Sequence, residues 1–189
     1  MRQVFGCGGV ADARPQAGVP GWRWGPGRET IEISIVPEDL AGTLVTGDEA
    51  NRWEAAEGYW LMRPWLRTDD CPVSLAASSP QPAQGSATAA PAVPTDGLAA
   101  LFEKEGSRVG RRGGKAFTLT LRNDGAPPAP PEGYRLVIEG RFTSFSDDQA
   151  VLCRSGGPDA RPVCIAAALI DQVALEDASG KVVQAWPLG

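Results

Sequence analysis

The chain has 189 residues, 42% of them hydrophobic and 22% charged, enough to bury a core in one domain or two small ones. A net charge of -5 argues against a general binder of phosphate backbones, which needs many Lys and Arg. Histidine is absent, which removes the commonest general base, metal ligand and partner of a nucleophilic Ser or Cys; no metal site and no cofactor are expected.

Residues 1–27 are dense in Gly and Pro and show no period, so they read as an irregular tether on which Trp22 and Trp24 dock against the folded body. Within it, Val4-Phe5-Gly6-Cys7 resembles the end of a bacterial lipoprotein signal, without the apolar region that precedes such a signal. Lipid attachment at Cys7 therefore requires a start upstream of Met1. The competing expectation pairs Cys7 with Cys71.

Residues 28–75 are expected to form a small Trp-rich β unit. Ile31, Ile33 and Ile35 alternate with Glu32 and Ser34, the period of a half-buried strand. Leu40 to Thr46 is a second strand candidate. The acidic run Asp48 to Glu57 reads as a short helical turn or an exposed loop carrying Trp53, and a third strand is predicted to begin at Tyr59. Pro64 puts that strand at a sheet edge or a bulge. Residues 76–97, rich in Ala, Ser and Pro, are expected to be a flexible linker or long loop.

The remaining residues, 98–189, read as an antiparallel β domain. It opens with a short helix over Leu98 to Glu105, whose apolar face is Leu98, Leu101 and Phe102. Phe117, Leu119 and Leu121 alternate with threonines in the next strand. A long strand follows over Tyr134 to Phe145, with Gly140 marking a bulge or bend. Shorter strands over Ala150–Cys153, Cys164–Leu175 and Lys181–Trp186 complete the set, the last two joined by the turn Asp177-Ala178-Ser179-Gly180. The predicted class is mostly β, an antiparallel barrel or sandwich with one short helix and a long Ala/Pro-rich linker, needing no parallel connection. By analogy, the second half is similar to the five-stranded OB barrel.

Cys153 and Cys164 flank a turn-rich segment between two apolar runs, so a disulfide is expected there, stabilising by about 2–3 kcal/mol in the chain-entropy treatment. Such a bond implies an oxidising compartment, periplasmic or extracellular; a cytoplasmic protein with reduced thiols is the alternative. The longest uncharged apolar run, Ile165 to Ile170, is far shorter than the ~20 residues of a membrane-spanning helix.

Three groups of residues suggest chemistry. The run Gly110 to Lys115 resembles a phosphate-binding loop, but Ala116 stands where that motif needs Ser or Thr. Arg108, Arg111, Arg112 and Lys115 are nonetheless candidate anion ligands, the competing reading being a solvated loop. The acids Asp48, Glu49, Glu54, Glu57, Asp69 and Asp70 lie among aromatics, a composition suited to a small carboxylate-dependent hydrolase on polysaccharide. Trp53, Trp60 and Trp65 are candidates for an apolar recognition surface. The leading functional expectation is a non-catalytic extracytoplasmic binding or interaction module whose partner is a protein or an envelope polysaccharide. The alternatives are that hydrolase and a single-stranded nucleic-acid binder using the OB-like half.

Overall fold

The structure, a computed structural model, describes residues 1–9, 11, 16–44, 53–62, 70–71, 94–122, 130–145, 148–155, 157–158 and 160–189. In chain order the strands are β1 (Arg2–Phe5), β2 (Gly21–Trp24), β3 (Thr30–Ile35), β4 (Glu38–Asp39), β5 (Trp53–Trp60) and β6 (Asp96–Glu103). They continue with β7 (Phe117–Arg122), β8 (Tyr134–Phe142), β9 (Val151–Arg154), β10 (Val163–Glu176) and β11 (Val182–Pro187). One α-helical turn, α1 (Ala41–Leu44), lies between β4 and β5.

The protein is mostly β, built as two sheets that share a core. The larger has eight strands, running β1-β8-β10-β6-β5-β4 with β9 and β11 added on β10; the smaller has three, β2-β3-β7. Ile31, Ile33 and Ile35 of β3 are all at or below 1% exposure and pack with Trp22 and Phe117 against Leu136, Val173 and Leu175 of the larger sheet. The alternation visible in the sequence of β3 thus points its isoleucines into the space between the sheets. On the opposite face of the larger sheet, Ala56, Ala99 and Ile165 are covered by Leu40 and Trp60.

Strand pairing does not close the larger sheet. Its curvature nevertheless returns β1 to the end of β5, where the Gln3 carboxamide donates to Trp60 O at 3.1 Å and accepts from Met62 N at 3.3 Å. The seven strands β3, β5 and β7–β11 share these two sheets irrespective of which half of the chain supplies them, and β5 lies directly beside β6.

Four local expectations are corrected. The segment 1–27 contributes two strands, β1 on β8 and β2 on β3, because its glycines and prolines separate two short extended runs that each find a partner edge. Leu40 to Leu44 turns into α1: the Asp39 carboxylate accepts from Ala41 N and Ala56 N, both at 3.0 Å, capping the turn and tying it to β5. The run Asp48 to Glu57 does not become a helical turn over its described part. From Trp53 it is strand, since pairing with both β4 and β6 overrides the helix propensity of Glu-Ala-Ala-Glu.

The fourth correction moves an element to the centre of the fold. Leu98 to Glu103 is strand β6, not a helix, and it runs parallel to β10 from Asp96↔Cys164 to Ala100↔Ala168. Gly97, Leu98 and Ala99 are all buried, and a strand covered on both faces reads as a continuous apolar run that period alone cannot tell from a helix. The long strand β8 behaves as expected up to Gly140. An added Cβ there would stand 2.1 Å from Leu169 O, so glycine is required by the close approach of β10, which carries a bulge at this point. Of the expected linker, 76–97, residues 76–93 lie outside the described residues, and Asp96 and Gly97 open β6.

Both expected cysteine pairings are present, Cys7–Cys71 and Cys153–Cys164, separated by 64 and 11 residues in sequence. The Cys7 sulfur is in a disulfide, which leaves it no thiol for lipid attachment. Fully oxidised cysteines match a non-cytoplasmic setting. No helix among the described residues is long and apolar enough to cross a membrane. Because loop-closure entropy grows with the size of the loop, replacing Cys7 and Cys71 by alanine should lower the unfolding free energy by about 4 kcal/mol, against about 3 for Cys153 and Cys164. Denaturant melts of the two double variants will check this; a larger loss at the shorter loop would contradict it.

Candidate functional site

The basic loop between β6 and β7 folds back on β5. In β5, Glu57 and Tyr59 alternate onto the same face, the one facing the core between the sheets, and Glu57 is only 6% exposed. A carboxylate so placed is costly unless it is fully bonded. The loop supplies the bonds: Arg112 N donates to Glu57 Oε2 and Gly113 N to Glu57 Oε1, both at 2.6 Å. Gly113 has φ +58, the conformation that turns successive N–H groups toward one anion. Arg111 Nε stands 3.8 Å from Glu57 Oε1, adding charge without a hydrogen bond.

Glu54 is the next acid along. The register shift between Trp53 and Ala55 turns the chain at Glu54, where Arg108 binds its carboxylate through Nε at 3.0 Å and Nη2 at 2.8 Å. Arg111 Nη1 reaches the other oxygen at 2.8 Å. Hydrogen bonds from Arg111 and then Arg108 hold the Glu54 carboxyl below its ordinary pKa. Burial, followed by the charge of Glu57, pushes the Tyr59 hydroxyl well above the usual tyrosine range. Arg112 lies over the Phe117 ring at 4.4 Å and donates to Lys115 O and Ala116 O at 3.3 and 3.1 Å. Lys115 is exposed.

Three of the four candidate anion ligands are therefore engaged by groups of the chain itself, and the anion that the glycine-rich loop cradles is Glu57. The tryptophans are corrected as well. Trp53 and Trp60 are buried, at 9% and 8% exposure, because β5 is an inner strand of its sheet; Trp65 lies outside the described residues. Asp48, Glu49 and Asp69 lie outside them too, and Asp70 pairs with Arg135 at 2.7 Å, away from Glu54.

The far side of the same loop forms one wall of a groove of about 510 Å³. β6 and β11 occupy the same edge of β10, β6 over Cys164–Ala168 and β11 from Gln172 onward. Leu169 to Asp171 lies in the gap between them. There β6 diverges from β10, and the space is walled by Leu101, Leu169, Ser144, the loop at Ser107–Gly110 and the ion pair Arg141–Asp171, 3.6 Å apart. Residue patterns in the sequence carry no sign of this groove, since it depends on the parallel pairing of β6.

Comparisons with protein-family models, with curated proteins and with solved structures return no match. Its chemistry alone therefore guides the reading of the site.

Two outcomes follow from the clasp. Glu57→Ala leaves two backbone N–H groups without their acceptor, and should lower the unfolding free energy by about 2–4 kcal/mol and speed amide exchange at Arg112 and Gly113. A change below about 0.5 kcal/mol, the scatter of ordinary surface substitutions, would remove the clasp from the account. Glu54 has a folded pKa below its ordinary 4.5, so its contribution is complete above that value and is lost as pH falls through the lowered one. Urea midpoints followed downward from neutral pH should therefore fall less for Glu54→Gln than for the wild type; parallel curves would contradict the assignment.

Proposed function

We propose that the protein is a non-catalytic binding module of an oxidising compartment, periplasmic or extracellular, that holds an extended segment of a partner protein in the groove between β6 and β10. The observation that carries this reading is the divergence of two strands in the middle of a sheet, which leaves a cleft bordered by backbone, by apolar Leu101 and Leu169 and by the charged pair Arg141–Asp171. Extended peptides are recognised by such alternation of apolar and polar contacts beside strand edges. Two disulfides support the compartment.

The alternatives find less support. A sugar-binding groove presents open ring faces, whereas Trp53 and Phe102, which line this one, are 9% and 5% exposed. A general acid needs a raised pKa, and the arginines of Glu54 act in the opposite direction. For single-stranded nucleic acid, Arg108 and Arg111 are already paired with carboxylates.

Selection of extended peptides from a random displayed library against the intact protein tests the proposal. Enriched peptides should shift the amide resonances of Leu101–Glu103 and Leu169–Asp171, and Leu169→Arg should weaken them at least tenfold. Peptides mapping elsewhere, or oligosaccharides shifting the groove where peptides do not, would overturn it.

A further inference from the structure

Cys153 and Cys164 face each other directly across the β9–β10 pair, with Cα atoms 4.0 Å apart. Cys164 N donates at 2.7 Å to Thr95 O, on the β6 side, so this rung carries no backbone hydrogen bond from Cys164 to β9. β9 has four residues and, among the described strands, β10 as its one neighbour. Cys153 is exposed, whereas Cys7, Cys71 and Cys164 are half-buried. The loop between the cysteines bonds within itself, Ser155 Oγ with Gly157 O at 2.8 Å and Ala160 N with Gly157 O at 3.3 Å.

From this arrangement we infer that Cys153–Cys164 is a thiol–disulfide exchange site, open to a dithiol reductant in the folded protein, and that its reduction releases β9. Exposed disulfides are the ones attacked in native proteins, because the incoming thiolate must approach a sulfur along the bond that breaks. One thiolate of the dithiol attacks Cys153 Sγ, and Cys164 leaves as a thiolate that takes up a proton. The second thiol of the reductant, on losing its proton, then attacks the mixed disulfide. Cys153 leaves and is protonated, and the reductant departs as its own disulfide, having passed two electrons and two protons to the protein.

Release has a defined consequence. Leu152 of β9 packs with Trp53, Phe145 and Ala167, so freeing the strand loosens the small cluster behind Trp53 while leaving the core between the sheets in place. The inference rests on the register and exposure of β9 and stands whether or not the groove binds a peptide.

The test uses the native protein treated with one equivalent of dithiothreitol, quenched with an alkylating agent and mapped by peptide mass spectrometry. Cys153 and Cys164 should be labelled at least tenfold ahead of Cys7 and Cys71. Amide exchange of the same sample should quicken at Leu152–Arg154 to the rate of an open strand while β3 and β8 remain protected. The double variant Cys153→Ser, Cys164→Ser should reproduce that exchange pattern. Labelling of Cys7 and Cys71 first, labelling of all four together, or reduction without faster exchange in β9 would overturn the inference, and the wild-type measurements decide it even if the variant does not fold.

Discussion

One strand serves four neighbours. β10 runs for 14 residues and pairs with β9 and β8 along one edge and with β6 and β11 along the other. A strand of ordinary length takes one partner per edge, and two partners in line on the same edge must end or turn away before they collide. On the first edge the junction is tight: Thr143 N, just after β8, donates to Ala167 O at 3.0 Å, and Ala167 N donates to Ala150 O, just before β9, at 2.9 Å. On the second edge β6 is parallel and β11 antiparallel, they arrive from opposite ends, and the sheet opens over Leu169 to Asp171. The groove is thus the geometric remainder of sharing one strand, and the bulge opposite Gly140 marks where β10 bends to accommodate both sets of partners.

The Arg–Gly loop converts that remainder into a walled cleft. Glu57 faces the core because strand pleating puts it on the side of Tyr59, and a carboxylate there is tolerated only if donors meet it. Arg112 and Gly113 supply backbone N–H groups, while Arg108 and Arg111 fix the neighbouring Glu54. Each half of the clasp requires the other: the loop has little apolar surface to hold it down, and the buried strand acid needs the donors that the loop supplies. The same loop then presents Ser107, Val109 and Gly110 toward the groove. Affinity for anions, which the loop's composition suggests, is satisfied within the molecule.

Much of the β content was legible because half-buried strands announce themselves by alternation, as Ile31–Ile35 and Phe117–Leu121 do. The hairpin at Asp177–Gly180 was equally plain, since its turn chemistry is local: Asp177 Oδ1 accepts from Ser179 N at 2.9 Å and Lys181 N at 3.0 Å. What failed was whatever depended on burial by distant partners. Leu98 to Glu103 has residues at helical spacing, yet it lies between two strands and is apolar on both faces, a state that sequence period does not encode. The tryptophans misled for a related reason: richness in Trp signals either a recognition surface or a core, and only the position of β5 inside its sheet decides. The cysteine pairing was legible from the turn residues around Cys153 and Cys164, whereas the place of Cys153 on an edge strand was not.

The two disulfides act at opposite ends of this logic. Cys7 joins the end of β1 to a residue distant in sequence, so its bond limits the unfolded chain over a wide span and belongs to the stability of the whole. Cys153–Cys164 closes a short loop beside its own strand pair, where the folded neighbours already hold most of the chain in place. A bond whose surroundings are held together by other contacts can be broken without unfolding them, provided that the element it secures has few other attachments. β9, short and at an edge, meets that condition, while β1 is additionally secured by Phe5 against Tyr134 in the main core and by Arg2 paired with Glu176. Local opening at one edge and global integrity at the other thus follow from where each pair of sulfurs sits in the sheet.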